Sequence, residues 1–118
     1  MNDHAKKLLF DVLESGRNVQ DWCRNHTFTE YEANRQLRRA VEREFEIIGE
    51  ALHRLSRVDP DTANSINQLS RIVGFRNRII HGYDTVDDAT VWGIIHRHLP
   101  PLLARVEALL QEPGSASS

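Results

Sequence analysis

The fold is decided by the stretch AVEREFEIIGEALHRLS, residues 40–56, whose apolar residues recur at steps of three and four. Charged residues fill the remaining positions, which is the pattern of an amphipathic helix with one buried face. The pattern extends in both directions and predicts one long helix from Tyr31 to Arg57. Gly49 in its interior costs the helix about 1 kcal/mol relative to alanine, so we expect a second helix to cross closely there. The apolar stripe consists of Leu37, Ala40, Val41, Phe45, Ile48, Ala51, Leu52 and Leu55.

Helical spacing of apolar residues continues on both sides of this stretch, and no segment alternates as a strand does. Apolar residues from Ala5 to Trp22 predict a first helix. Pro60 and the capping-type residues around it predict a turn, and a third helix is expected from about Thr62 to Ile80. The third helix is apolar around most of its circumference, which is typical of a helix at the centre of a bundle.

A fourth helical segment carries an apolar stripe from Val91 to Leu110. Pro100 and Pro101 fall inside it, and they predict a kink or a division into two helices because proline lacks the backbone donor that a helix interior needs. The sequence therefore predicts a single all-α domain over residues 1–112, an up-and-down bundle of four to five helices. The remaining six residues, 113–118, are small and polar, so we expect a disordered tail.

Composition limits the classes of function. The chain has 15 Lys and Arg against 17 Asp and Glu, a formal net charge of −2, so any affinity for nucleic acid must come from a local surface. The single cysteine, Cys23, excludes an internal disulfide and a cysteine-rich zinc site, and it fits a reducing, cytoplasmic setting. No apolar run is long enough for a signal peptide or a membrane span, so we expect no membrane partner.

A second stretch, GFRNRIIHGY (residues 74–83), places an arginine, an asparagine, a histidine and a tyrosine along an apolar helical segment. Asn77 and His81 are four residues apart and share a helix face, so the amide can hold one ring nitrogen of the histidine. Arg76 and His81 are five apart, about 140° around the axis, and do not point at a common spot on a continuous helix. Either Gly82 ends the helix there, or a second copy of the segment brings the two groups together across a dimer interface.

These groups suit the cleavage of RNA. Its own 2′-hydroxyl can attack the adjacent phosphate without a metal, given a base, an acid and a cation. Histidine titrates near neutral pH and arginine carries a permanent, forked positive charge. The motif has one histidine, so this mechanism favours a symmetric dimer with a shared cleft. The alternative is structural: arginine and histidine in a last turn stabilise the negative end of the helix, and a following glycine caps it.

Several other residues are candidates for contacts with RNA or metal. A local basic surface would consist of Arg35, Arg38, Arg39 and Arg43 on the second helix, with Arg78 near the motif. These arginines can instead pair with Glu32, Glu42 and Glu46 at helical spacings on a solvated face. His96 and His98, with His81, suggest a metal cluster, but residues two apart on a helix point about 160° apart, so no metal site is predicted.

At three places the chain resembles a known family. RNRIIH (76–81) resembles the R-N-x-x-x-H signature of HEPN domains, and with Tyr83 it resembles the R-x4-H-x-Y form of the HepT toxins. Residues 40–56 are similar to the family's second-helix stretch with its I-I-G-E-A run. Residues 91–110 are similar to its closing V-W-x-I-I…L-P-x-L segment. The three blocks occur in the expected order, so the likeness covers most of residues 1–112.

The resemblance implies an all-α, homodimeric, metal-independent ribonuclease toxin that needs no cofactor and acts alongside an MNT-type nucleotidyltransferase antitoxin. It implies that Arg76 holds the scissile phosphate, His81 transfers protons and Asn77 supports His81, in a cleft at the dimer interface. Tyr83 resembles the tyrosine to which the antitoxin transfers AMP from ATP, which would block entry of RNA. The alternative is a non-catalytic subunit of a nucleotidyltransferase complex, which senses nucleotides or binds a partner.

Overall fold

The computed structural model describes residues 1–81 and 86–112, which are helical almost throughout and contain no strand. The helices are α1 (Asp3–Cys23), α2 (Phe28–Ala33), α3 (Arg35–Val58), α4 (Pro60–Asn64), α5 (Leu69–His81), α6 (Asp88–Gly93) and α7 (Leu99–Gln111), with a π-helical segment (Ile94–His98) between the last two. The prediction of an all-α bundle is confirmed. The predicted tail, 113–118, lies outside the described residues.

The central helix is α3, which packs against α1 on one side and α5 on another, while α1 also contacts α7. The stripe is buried from Val41 to Leu55, where Phe45, Ile48 and Leu52 are each 0% exposed, and Leu37 and Ala40 are partly buried. Helix α1 runs without a break through Gly16, which lies against the side chain of Leu103 in α7. The bundle is therefore organised around residues 40–56, as the apolar pattern predicts. No helix within the described ranges is long and apolar enough to cross a membrane.

The prediction of a single long helix from residue 31 to residue 57 is wrong at its start, because the helix is interrupted at Asn34. This residue ends α2 with a non-helical backbone (φ −104°, ψ 93°) and starts α3, where its side-chain oxygen accepts from Leu37 N at 3.0 Å. Helix α2 begins instead with a capping box, in which Thr27 and Glu30 exchange backbone-to-side-chain hydrogen bonds of 2.8 and 3.2 Å. An asparagine side chain that caps the next helix offers the backbone an alternative to continuing the first one.

The third predicted helix is likewise two helices, α4 and α5. Asp59 caps α4 through hydrogen bonds with the backbone and hydroxyl of Thr62, at 3.2 and 2.7 Å. Helix α5 is also not the centre of the bundle, which corrects the expectation from its apolar circumference. Only Ile72 and Phe75 are buried along it, and Ile80 is 47% exposed. At its C-terminal end Ile80 is therefore uncovered, whereas Ile79 packs partly against the core.

The prolines divide the last helical segment, as predicted, through a change of helix type. Leu99 N–H donates to the carbonyl of Ile94, five residues back, so the segment before the prolines is π-helical. Pro100 and Pro101 stand in the first turn of α7 and supply no N–H to the carbonyls that precede them. This local rearrangement determines which way Arg97 and His98 point from the bundle.

Candidate active site

The site is built where α5 crosses α3 at closest approach. Gly49 is buried in α3, and a Cβ atom at that position would lie 2.3 Å from Cβ and 2.6 Å from Cγ of Arg76. No side chain larger than hydrogen fits there. The close crossing expected from a glycine inside α3 is therefore confirmed, and it lays the aliphatic stem of Arg76 directly on the α3 backbone.

The guanidinium of Arg76 is fixed by two acceptors. Its Nη2 donates to Oε2 of Glu50 at 2.7 Å and its Nη1 donates to Oδ1 of Asn77 at 2.9 Å. The other oxygen of Glu50 accepts from Nε of Arg54 at 2.9 Å. The hydrogen bond from Arg54, aided by the charge of Arg76, lowers the pKa of Glu50. An ionised Glu50 therefore holds the guanidinium in one orientation at neutral pH.

Arg76 faces a cleft of about 310 Å³ between α1, α3 and α5. Its side chain is 23% exposed, and its buried Nε has no hydrogen-bond partner among the described residues. The charged residues of this cleft, termed the Arg76 cleft below, are Arg43, Arg54 and Arg76 with Asp11, Glu46 and Glu50. Cations and carboxylates are thus mixed in this cleft. Arg76 is the least exposed of its three arginines.

His81 is the last residue of α5 and is exposed. Helix α5 runs unbroken from Arg76 to His81, so the two residues are separated by about 140° around its axis. Arg76 lines the Arg76 cleft, and His81 does not. Convergence on one substrate therefore needs a further element, as the spacing predicts. Gly82, the expected helix terminator, and Tyr83, the expected target of modification, lie outside the described residues.

The spacing predicts that Asn77 supports His81, and the structure shows it engaged with Arg76. A guanidinium only donates hydrogen bonds, so the amide oxygen of Asn77 must be the atom that faces Arg76. The amide nitrogen is then the end of Asn77 that can donate to another group. Support of His81 by Asn77 stays a prediction, whereas its hydrogen bond with Arg76 is observed.

The arginines predicted to contact RNA occupy different environments. Arg39 and Arg43 lie within 3.6 Å of Glu42 and 3.0 Å of Glu46, each three residues further along α3. These pairs match the alternative of a solvated, charge-paired face, although Arg43 also lines the Arg76 cleft. Arg78 lies on the other side of α5, in a second groove. No group of three or more His, Cys, Asp or Glu side chains within residues 1–81 and 86–112 is arranged to hold a metal ion.

Glu50 is the site residue that motif reasoning did not single out. The family-like run I-I-G-E-A contains it, but the spacing along α3 gives no reason to connect it with an arginine 26 residues later. The usable signal was Gly49. A glycine that costs helix stability marks a close crossing, and the carboxylate beside it is well placed to meet whatever side chain the crossing helix brings.

Comparison with known proteins gives a consistent picture. The family model described as HepT-like, "Ribonuclease HepT-like", matches residues 12–109. "Putative RNase MJ1380" from Methanocaldococcus jannaschii is 31% identical over 103 residues, covering 87% of this chain and 94% of that protein. "Probable ribonuclease HepT" from Thermococcus cleftensis is 27% identical over 113 residues, covering 92% and 98%. No solved structure gives a significant match to this chain.

Proposed function

Because the chain belongs to the HepT-like ribonuclease family, we propose that it is a metal-independent endoribonuclease that cleaves RNA through attack of a 2′-hydroxyl on the adjacent phosphate. The observation that carries this proposal is the fixed guanidinium of Arg76, held by Glu50 and Asn77 at the wall of a cleft. A cation that is already oriented needs little reorganisation when negative charge develops on the phosphate. Arg76 would bind the scissile phosphate and stabilise that charge.

His81 would move the protons of the reaction. A base removes the proton from the 2′-hydroxyl as its oxygen bonds to phosphorus. An acid gives a proton to the departing 5′-oxygen as the phosphorus–oxygen bond breaks, leaving a 2′,3′-cyclic phosphate and a 5′-hydroxyl. An exposed imidazole can perform either transfer near neutral pH. The one His81 that completes each cleft would take the proton from the 2′-hydroxyl and then deliver it to the 5′-oxygen.

We propose that the functional unit is a homodimer. Arg76 and His81 lie on different sides of α5, about 140° apart, so the Arg76 cleft of one subunit would be completed by His81 of the other. Ile80, 47% exposed beside that cleft, supplies apolar surface for such a contact. The dimer is thus part of the catalytic proposal, because one chain does not bring the two groups to one spot.

The cleavage test uses purified protein and RNA in the presence of EDTA. Wild-type protein should cut, and Arg76→Ala and His81→Ala should each lower the rate at least about 100-fold, the scale of a lost proton transfer or charge stabilisation. Arg24→Ala, which removes an exposed arginine outside the cleft, is the control. Unchanged cutting by His81→Ala would refute its catalytic role, and tight complex formation without any cutting would favour the partner-binding alternative.

For the biological setting we propose a type VII toxin–antitoxin pair, in which an MNT-type nucleotidyltransferase transfers AMP from ATP to Tyr83. The phenolic oxygen would attack the α-phosphorus, and pyrophosphate would leave. Tyr83 follows His81 by two residues, so the new phosphate would add negative charge and bulk beside the proton-transferring group and repel RNA.

The setting is tested by co-expression with a candidate nucleotidyltransferase. Mass spectrometry should find one or more AMP units on Tyr83, and the modified protein should lose RNA cleavage. Tyr83→Phe should keep cutting and escape neutralisation, because phenylalanine has no hydroxyl to accept AMP. Neutralisation of Tyr83→Phe to the same extent as wild type would contradict the assignment.

A further inference from the structure

Helix α5 separates the Arg76 cleft from a second and larger groove. This groove has a volume of about 490 Å³ and lies between α5 on one side and α6 with the π-helical segment on the other. The charged and titratable residues that line it are Arg71, Arg78, Arg97 and His98, and none of its described lining residues is Asp or Glu. We term it the basic groove. In a chain of net charge −2, such a concentration of cations is a local feature.

The arginines of the basic groove differ from those elsewhere in the bundle. Arg71, Arg78 and Arg97 are exposed, and within the described parts of the chain none is close enough to a carboxylate for an ion pair, whereas Arg39 and Arg43 are paired. The charge of Arg78 helps to lower the pKa of Asp87, but the main cause of that shift is the hydrogen bond from the backbone of Thr90. That carboxylate is already used as the cap of α6. The guanidiniums are therefore open to an anion from solution.

Two glycines keep the groove open. Gly74 on α5 and Gly93 at the end of α6 line opposite walls, and a Cβ atom at either position would meet no other atom within 4 Å. By contrast, a Cβ at Gly16 or Gly49 would collide with a packed side chain. Glycine inside a helix is less stable than alanine, and packing does not explain it at Gly74 and Gly93. The bare backbone on both walls admits a close ligand.

The π-helical segment is the second unusual feature of the groove. It brings Arg97 and His98 to the groove wall, and π-helical turns are rare and occur frequently at functional sites. Nδ1 of His98 lies 3.0 Å from Oε1 of Gln68, which fixes the ring. Burial lowers the pKa of His98, and the charges of Arg71 and Arg97 lower it further. The contributions of the two arginines show that their positive charges lie near the ring.

The basic groove lies on the side of α5 that carries His81, one turn beyond its lining residue Arg78. Arg71 and Arg78 are seven residues apart, two turns of α5, so they stand on nearly the same line about 10 Å apart. Gly74 and His81 have the same seven-residue relation, and His81 follows Arg78 by one turn. The side of α5 that carries His81 is therefore the side that lines the basic groove, and Arg76 projects on the other side.

We propose that the basic groove binds the sugar-phosphate backbone of the RNA strand that flanks the cleavage site and guides it to His81. The inference rests on the proposed ribonuclease function and extends it to residues outside the motif. Forked arginine side chains suit phosphate oxygens. The described lining residues include no tyrosine or tryptophan, and their one phenylalanine, Phe75, is 3% exposed, so it offers no platform for stacked bases. Binding is accordingly set by phosphates and is independent of sequence.

The test measures binding of a mixed-sequence, fluorescein-labelled RNA of about 16 nucleotides, which is the upper end of single-strand site sizes. The RNA carries 2′-O-methyl groups, which block the attacking 2′-hydroxyl and so prevent its cleavage by the protein. Arg71→Gln/Arg97→Gln should bind at least tenfold more weakly at about 0.1 M salt. The slope of log K against log salt should fall by about 1.4, or about 0.7 for each phosphate that an arginine no longer neutralises. Arg24→Gln/Arg57→Gln removes the same charge outside both clefts and should bind within about twofold of wild type.

A matched pair at Gly93 keeps the proposal testable if the arginine variant folds poorly. Gly93→Glu and Gly93→Lys both fill the open space at this wall, but only the glutamate also repels phosphate, so it should weaken binding much more than the lysine. Wild-type-like affinity in both Arg71→Gln/Arg97→Gln and Gly93→Glu, or no binding by wild type, would overturn the proposal. So would unchanged RNA affinity with loss of antitoxin binding, which would assign the groove to a protein. If RNA binding depended on the groove but no cleavage were seen, the proposed ribonuclease function would be refuted and the groove would remain a site for RNA. If RNA were cleaved but binding did not depend on the groove, the ribonuclease function would be supported and the proposal for the groove refuted.

Discussion

At the residue scale, Gly49 should be the least replaceable glycine of the bundle. Gly49→Ala places a Cβ atom 2.3 Å from that of Arg76, so α3 and α5 must separate. Overpacking of this kind costs about 1–3 kcal/mol, and better helix propensity returns about 1 kcal/mol. We expect a net loss of up to about 2 kcal/mol in the free energy of unfolding, measured by urea titration, together with slower RNA cleavage because Arg76 shifts.

The control for that substitution is Gly74→Ala on α5, where the new methyl group meets no atom within 4 Å. It should raise the free energy of unfolding by up to about 1 kcal/mol through helix propensity alone. If Gly49→Ala were as stable as Gly74→Ala, α3 and α5 would not cross closely at Gly49. Because the two variants make the same chemical change, any difference between them measures the crossing.

The sequence predicted the close crossing at Gly49 and not its partner. A helical stripe tells which residues face inward, but it does not tell which residue of a distant helix they meet. The ion pair of Glu50 with Arg76 therefore appeared only in the structure. The same limit applies to Asn77: the spacing connected it with His81, whereas the observed acceptor role of its amide oxygen is toward its neighbour Arg76.

At the scale of elements, the number of long helical segments could be predicted and their interruptions only in part. Pro100 and Pro101 predicted an interruption of the last helix, because proline lacks a backbone donor wherever it stands. Asn34 did not predict the break between α2 and α3, because an asparagine acts as a helix cap only when its side chain accepts a hydrogen bond from a backbone N–H three residues later. No glycine or proline stands between Tyr31 and Leu37 either, so no helix-breaking residue marked the boundary.

Helix α5 was correctly predicted to be an apolar helix, but its predicted position in the bundle was wrong. Its apolar circumference predicted the bundle centre, yet that place belongs to α3, which packs on both α1 and α5. Apolar residues on α5 beyond Ile72 and Phe75 are incompletely buried in one chain. A helix patterned for burial on more sides than one subunit covers is what a subunit interface requires. The misplacement is thus consistent with the proposed dimer.

At the scale of the whole molecule, α5 separates two clefts that differ in their charged residues. The Arg76 cleft holds a fixed guanidinium among carboxylates, and the basic groove holds exposed arginines on the side that carries His81. An RNA strand that lies in the basic groove of one subunit would reach Arg76 most directly on the other subunit. Symmetry then gives two equivalent clefts, each with one arginine and one histidine from different chains.

This arrangement predicts complementation between two inactive proteins. In a mixed dimer of Arg76→Ala with His81→Ala, one cleft lacks both groups and the other keeps an intact Arg76 from one chain and an intact His81 from its partner. After subunit exchange at equal concentrations, half of the dimers are mixed and each has one working cleft, so the mixture should regain about a quarter of the wild-type rate. Differently tagged chains, purified through both tags, verify that exchange has occurred.

The control for complementation mixes Arg76→Ala with a chain that carries both substitutions, so no cleft has an arginine and no activity should return. If Arg76 and His81 of the same chain acted together, the first mixture would be as inactive as its parents, because no chain in it carries both groups. Recovery in the first mixture alone would therefore show that the cleft is shared. It would also explain why α5 stays helical through His81: the second chain, and not a bend, brings the two groups together.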